Sequence, residues 1–301
     1  MKLSAISGAL LLASFAGSAF SGAMYTKSES IIGEDFYNSF NFKAIADLTH
    51  GCVNYVDQET AVSLGLTFVI ANTFFLCTNN TTVLSASSLG CNSVRIRSNN
   101  QYTTHVAVFD ILHMPQGCRM WPVNILEGVN DVTPNQSTLH TSPNCIIPAL
   151  GVNQLGMTIA TNCDATADFN KGCAVCLSKD DNSFGPTSTR LVVDEWFPRY
   201  AMERTDDYIS IWFWECSDCS APQDVTDGAG TPSAYFPNTD CDLASHFSPN
   251  NIIINLMFCG DWAASILTMK IHLNDTWSHL SLTAELNSSL VKAAHTMIQY
   301  S

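Results

Sequence analysis

Short apolar runs, cut every few residues by Asn, Gly, Pro or Ser, dominate the chain from residue 24 to about residue 265, and helical periodicity is nearly absent there. Strands satisfy such a pattern, because alternate side chains point to opposite faces and about four to eight residues suffice to cross a sheet. The clearest strands fall at 93–97 (SVRIR), 104–112 (THVAVFDIL), 208–214 (YISIWFW) and 252–258 (IIINLMF). The uncharged stretch 61–78 contains Ser63, Thr67, Asn72 and Thr73, so two buried strands account for it better than a membrane span. Many short strands bounded by turn residues predict an all-β sandwich. In 208–214, Ile209, Ile211 and Phe213 share one face and Tyr208, Trp212 and Trp214 the other. That aromatic row suits either a sugar-binding groove or burial between two sheets. Long Asn/Pro/Gly/Cys loops are expected at 133–188 and 217–248, with cysteines pinning segments that have no core of their own. No repeat or linker divides residues 24–265, which read as one domain. The tail at 266–301 differs: 282–298 (LTAELNSSLVKAAHTMI) has the spacing of an amphipathic helix.

Residues 1–23 hold one lysine, an apolar stretch at 10–15 and small residues at Ser21 and Ala23, the arrangement of a secretory signal peptide. The expected product is secreted and extracellular, with no membrane attachment once the signal is removed. All twelve cysteines follow it, and an even number in a secreted chain predicts disulfides. Two C-x-x-C pairs, Cys173/Cys176 and Cys216/Cys219, raise a zinc reading, but their separation is about twice the usual 15–20 residues and thiolates would have to stay reduced. Structural disulfides are therefore favoured, and no metal or cofactor is expected. Sequons begin at Asn79, Asn80, Asn135, Asn274 and Asn287, as in a secreted glycoprotein. Only 13 basic residues oppose 27 acidic ones, a net charge of −14 that repels nucleic acid. A monomer is expected.

G-x-S-x-G, H-E-x-x-H, P-loop and G-x-G-x-x-G signatures do not occur, which leaves carboxylate chemistry. The specific segment is WPVNILEGVN at 121–130, followed by NQSTLHT at 135–141. It resembles the family-16 glycoside hydrolases, in particular the secreted endo-β-1,3(4)-glucanases called laminarinases. GEDFYNSFNF (33–42), NSVRIRSNNQYTTHVAVFD (92–110), HMPQGC (113–118), YAMERT (200–205), TPSAYFPNTDCD (231–242) and NNIIINLMFCGDWA (250–263) resemble that family in the same order. The resemblance covers roughly 33–263 and implies a jelly-roll β-sandwich of the concanavalin A-like kind, whose concave face takes β-1,3(4)-glucan.

Such enzymes carry E-I-D-I-x-E-G, in which the resemblance makes the first Glu the nucleophile and the last the general acid/base. Two carboxyls about 5–5.5 Å apart retain configuration through a covalent glycosyl-enzyme. Residues five apart face opposite sides of a regular strand, so a bulge must bring both into the groove. Laid on this chain, Glu127 matches the acid/base, Asn124 takes the place of the auxiliary Asp, and Pro122 takes the place of the nucleophile. A stretch that family members have between W-P and E-I-D is missing as well. Losing such a nucleophile costs hydrolases about 10⁴–10⁶ in rate. Glu203, Asp206 and Asp207 are the nearest carboxylates in motif order that could replace it. The resemblance also assigns Arg95, Trp121, His140 and Trp262 to substrate binding, through Trp stacking on sugar faces and Arg donation to hydroxyls. Family members end in an aromatic-containing strand that completes the sheet, whereas 266–301 shows no such strand. The expected function is hydrolysis of β-glucan with impaired catalysis; the alternative is a lectin-like glucan-binding glycoprotein.

Overall fold

The computed structural model describes residues 26–48, 50–79, 81–83, 85, 88–111, 120–122, 135–177, 199–214, 230–258, 291–293 and 297–300. The signal-peptide reading at 1–23 therefore lies outside the described residues. In chain order the strands are β1 (Lys27–Ile31), β2 (Phe40–Phe42), β3 (Val53–Tyr55), β4 (Thr67–Ile70), β5 (Thr73–Leu76), β6 (Cys91–Ser93), β7 (Arg95–Ser98), β8 (His105–Asp110) and β9 (Met120–Pro122). They continue with β10 (Gln136–Leu139), β11 (Met157–Ala160), β12 (Cys173–Cys176), β13 (Arg199–Arg204), β14 (Tyr208–Trp214), β15 (Ala234–Pro237), β16 (Ile253–Phe258), β17 (Val291–Ala293) and β18 (Met297–Tyr300). Three helices of one turn or little more join them: α1 (Asp35–Ser39), α2 (Gln58–Ser63) and α3 (Leu243–His246).

Two layers share one core. A six-stranded antiparallel sheet, β1-β18-β8-β13-β14-β15, lies on one side. A four-stranded sheet, β2-β7-β16-β9, and a three-stranded sheet, β10-β12-β11, supply inward rows to the same apolar cluster. Ile209, Ile211 and Phe213 enter it from β14, Val94, Ile96, Ile254 and Leu256 from the four-stranded sheet, and Val175 and Leu177 from β12 and the residue after it. Period-2 alternation does this sorting, since each strand gives one row to the core and keeps the other. The smaller sheets β17-β5-β4 and the parallel pair β3-β6 complete the described structure. The sandwich expectation holds, and the predicted strands appear as β6–β7, β8, β14 and β16. In 61–78 the two expected strands form the β4–β5 hairpin, but its first residues belong to α2, which Asp57 caps by accepting from the Thr60 N–H at 2.8 Å.

Two expectations are corrected, and one open alternative is narrowed. The helix expected at 282–298 is overturned in the described residues, where Val291–Ala293 pairs with β5 and Met297–Tyr300 sits between β1 and β8. Local helical spacing loses to tertiary pairing: without β18, β1 and the edge of β8 would each present unpaired N–H and C=O groups. Tyr300 supplies the aromatic residue of a sheet-completing strand that the sequence reading did not find. Next, the regions expected to be coreless loops contain β10, β11, β12, β15 and α3, and Ile147, Val175, Leu177, Phe236 and Leu243 from them are all buried. Their strands are too short for periodicity to show. Finally, Tyr208, Trp212 and Trp214 lie on the outer face of the six-stranded sheet, opposite the core row. Trp212 and Trp214 are only 8% and 7% exposed, so burial explains the aromatic row there. Asn135, one of the sequon asparagines, is 5% exposed at the start of β10, which closes it to a glycan in the folded protein.

At one end of the core, Arg204 is buried and donates to the carbonyls of Tyr102, Phe247 and Ser248. Its neighbour His105 is buried too, with Nδ1 2.8 Å from the Thr103 carbonyl, and burial pushes its imidazole below the ordinary value of 6.5. Protons then bind the unfolded chain better than the folded one, so this contribution is complete above about pH 6.5 and is lost as pH falls. Urea titrations at about pH 7.5 and about pH 5 should show a lower midpoint at the acid pH, and His105→Gln should flatten that dependence. A chain lacking residues 291–301 should lose more than about 2 kcal/mol in the same titration, because β1 and one edge of β8 are then left unpaired.

Candidate functional site

The outward row of the four-stranded sheet is polar where its inward row is apolar. Because Val94, Ile96, Ile254 and Leu256 point into the core, Arg95 and its register partner Asn255 occupy the opposite face. Tyr55 rises beside them from β3. Its hydroxyl donates to Asp47 Oδ1 at 3.0 Å and accepts from Asn255 Nδ2 at 3.0 Å. Asp47 turns its second oxygen to the Gly51 N–H at 2.8 Å. The Arg95 guanidinium carbon lies 6.0 Å from the Tyr55 ring centroid. Burial, followed by the nearby Asp47 carboxylate, holds the Tyr55 hydroxyl far above its ordinary value, so it remains a neutral donor. Asn255 is 2% exposed and its Oδ1 has no hydrogen-bond partner. The arrangement presents a half-buried cation beside an aromatic face, with Tyr55 and Asn255 bracing it from below.

Strand β9 borders this row. Trp121 is the register partner of Met257, and Pro122 that of Leu256. Among the described residues β9 is the outermost strand of its sheet, a position where a proline without an N–H is tolerated. Glu127 and Trp262 lie outside the described residues.

His140 follows β10 on a different sheet. Ser137 and Leu139 pair with Val175 and Cys173 on the core side, so Gln136 and Thr138 face the other way, as does the row bearing Arg95. Gln136 Nε2 donates to Thr138 Oγ1 at 3.3 Å, and His140 is exposed at the strand's end. Gly172 packs directly against its ring. A Cβ there would fall 2.9 Å from the imidazole and 2.5 Å from the Leu139 carbonyl, and the backbone φ of +65° also requires glycine. Disulfides Cys145–Cys241 and Cys163–Cys173 clamp the surrounding segments. Cys173 is thus committed to Cys163 and not to its C-x-x-C neighbour, which removes one half of the zinc reading; Cys216 and Cys219 lie outside the described residues. The one cluster of potential metal ligands among the described residues, Cys145, Cys241 and His246, is this disulfide with a histidine beside it, and bonded sulfurs are not thiolates. The thiols of Cys77 and Cys91 are pushed up to about 11 by burial, which makes them poor nucleophiles.

Arg95 and Trp121 therefore share one sheet, and His140 follows a strand of another. Glu203 does not join them. It pairs with Ser210 on β13 and so faces outward from the six-stranded sheet, on the far side of the sandwich from Arg95. There, burial and the Glu203 carboxylate raise the Tyr208 hydroxyl to about 12. Asp206 and Asp207 occupy the exposed turn between β13 and β14. Sequence reasoning missed Tyr55, Asp47 and Asn255, although a single Asn inside IIINLMF was the available signal.

A family model described as the XgeA-like catalytic GH16 domain matches residues 40–295, and the chain belongs to glycoside hydrolase family 16. It is 30% identical over 269 residues to a probable glycosidase of Schizosaccharomyces pombe, covering 80% of this chain and 60% of that protein. It is 33% identical over 280 residues to an endo-1,3(4)-beta-glucanase of Arthroderma benhamiae, covering 85% and 59%. The chain spans between 34% and 60% of the length of these and similar curated relatives. Among solved structures, laminarinase 16A from Phanerochaete chrysosporium, with 6-O-glucosyl-laminaritriose in donor and acceptor sites, superposes with a TM-score of 0.82 at 41% identity, covering 93% of this chain and all of that one. An elongating family-16 beta-1,3-glucosyltransferase gives 0.79 at 29% identity, covering 92% of this chain. The fold is the family's jelly-roll β-sandwich. Replacing Tyr55 by Phe should destabilise the chain by about 1–3 kcal/mol in urea titrations, since Asp47 and the buried Asn255 amide both lose their partner.

Proposed function

We propose that this chain is a secreted glycoprotein of family 16 that recognises β-1,3(4)-glucan, retains Glu127 as the acid/base, and hydrolyses poorly for want of a nucleophile. One observation carries the reading: Pro122 and Asn124 stand in WPVNILEG where the family's nucleophile and auxiliary carboxylate belong. A retaining glycosidase needs a second carboxyl about 5–5.5 Å from the acid/base, and an inverting one needs it about 6.5–9.5 Å away with room for a water. Proline supplies neither oxygen. The outward setting of Glu203 on the six-stranded sheet speaks against its acting as the substitute.

The binding half of the site supports glucan recognition independently. Arg95 offers a donor to sugar hydroxyls, and His140 adds a ring nitrogen at the end of β10. Trp121 is carried over as a stacking residue from the family likeness, as is Trp262. The polar network around Tyr55 favours the second reading, a lectin-like protein that binds glucan without turning it over. In either case the chemistry uses no metal or cofactor, the partner is a polysaccharide and not nucleic acid, and the protein works as a monomer outside the cell. No helix among the described residues is long and apolar enough to cross a membrane.

Reducing-sugar release from laminarin tests the proposal, using the full chain, Glu127→Gln, and a variant with the missing E-I-D strand restored. The full chain should be slower than the restored variant by at least about 10⁴. Hydrolysis by the unaltered chain that disappears in Glu127→Gln would show that another carboxylate serves as nucleophile.

A further inference from the structure

The Cys163–Cys173 disulfide closes a loop, residues 164–172, that ends with Gly172 packed on the ring of His140. Within it, Asp168, Phe169 and Asn170 have φ of 47°, 57° and 59°, three successive non-glycine residues in the left-handed region. Asp and Asn tolerate that conformation, but a phenylalanine Cβ crowds the following carbonyl, so a bulky residue persists there only where its surroundings fix the backbone. Here they do. The Thr166 N–H and hydroxyl both donate to Asp164 Oδ1, at 2.8 and 2.7 Å. Ala165 N–H reaches the Thr141 carbonyl at 2.9 Å, and Asn170 N–H reaches that of Ala167 at 3.0 Å.

This constraint yields no packing. Phe169 is 106% exposed, more than any other large hydrophobic residue among those described. It lies three positions before Gly172, which places its backbone within about 11 Å of the contact with His140. Asp168, Asn170 and Lys171 around it are all exposed, so the ring is a single apolar point among a carboxylate, an amide and an ammonium.

We propose that Phe169 is a stacking platform for a glucose ring of a β-glucan chain, forming a binding subsite at the rim beyond His140. The inference rests on the glucan reading given above. A pyranose ring offers a face of C–H groups and an edge of hydroxyls, which matches an aromatic ring set among polar side chains. An apolar protein partner would call for a contiguous patch instead. A backbone already fixed by its hydrogen bonds also loses little freedom on binding.

Isothermal titration of the full chain with laminarihexaose and laminaritriose tests this, comparing the parent with Phe169→Ala, Phe169→Trp and Phe169→Gly. Phe169→Ala should weaken hexaose binding by about tenfold and leave triose binding unchanged, while Phe169→Trp keeps both. Phe169→Gly should weaken the hexaose equally while raising the melting temperature, because glycine relieves the left-handed backbone; it keeps the test open if the alanine variant folds poorly. Hexaose binding as tight in Phe169→Ala and Phe169→Gly as in the parent would overturn the subsite. A parent that binds neither sugar would overturn the glucan reading itself, and the subsite with it. A dimer in sedimentation velocity that dissociates in Phe169→Ala would assign the ring to an interface between copies and also overturn the proposal.

Discussion

Strands from four sheets surrender side chains to one apolar cluster, and that shared burial decides which way the polar residues of the described strands face. Phe213 and Ile211 reach it from the six-stranded sheet, Ile96 and Leu256 from the four-stranded sheet, and Val175 from the three-stranded sheet. With period 2, a one-residue slip in any strand would exchange its two rows. Arg95 and Asn255 face away from the core because Ile96 and Ile254 must face it. The same rule sends Glu203 to the opposite surface of the sandwich. Arg95 and Glu203 are thus separated by the core itself, and no side-chain rotation can join them.

Polar groups beside Arg95 are ordered by partial burial. Tyr55 stays protonated because burial and Asp47 both disfavour its phenolate, so it bridges a carboxylate and an amide without changing charge. A network of this kind fixes donors and acceptors in advance, which benefits recognition of a neutral polysaccharide. Hydrolysis makes a different demand. It needs two carboxyls at a set distance, and the chain keeps a candidate for only one of them at the family position. Recognition and turnover can therefore come apart in this molecule without loss of the fold.

Much of this was legible in the sequence because it depends on periodicity over six or seven residues. YISIWFW appears as β14 with the expected inward and outward rows, and IIINLMF as β16 one residue shorter than expected. Arg95 and His140 were named as site candidates through family likeness, and the structure sets Arg95 in β7 of the four-stranded sheet and His140 directly after β10 of a three-stranded one. What stayed hidden depends on distant partners. The strand MIQY is too short to outweigh a helical pattern on its own, and only the open edges of β1 and β8 select it. Strands β10, β11 and β12 have four residues each, and their disulfides and mutual pairing hold them where local pattern is weak. The outer face of β14 looked like a binding surface because an aromatic row reads alike whether it stacks on sugar or is buried; Trp212 and Trp214 are buried.

The proposed loss of the nucleophile requires that no carboxylate in this chain forms a covalent bond to the sugar. Intact-mass spectrometry after incubation with a 2-fluoro laminaribiosyl fluoride tests it directly, since such a reagent traps the glycosyl-enzyme of a retaining glycosidase. The account predicts an unchanged mass for this chain and an adduct of one disaccharide for a family member that has its nucleophile. A stoichiometric adduct on this chain, mapped to Glu203, Asp206, Asp207 or any other carboxylate, would contradict it.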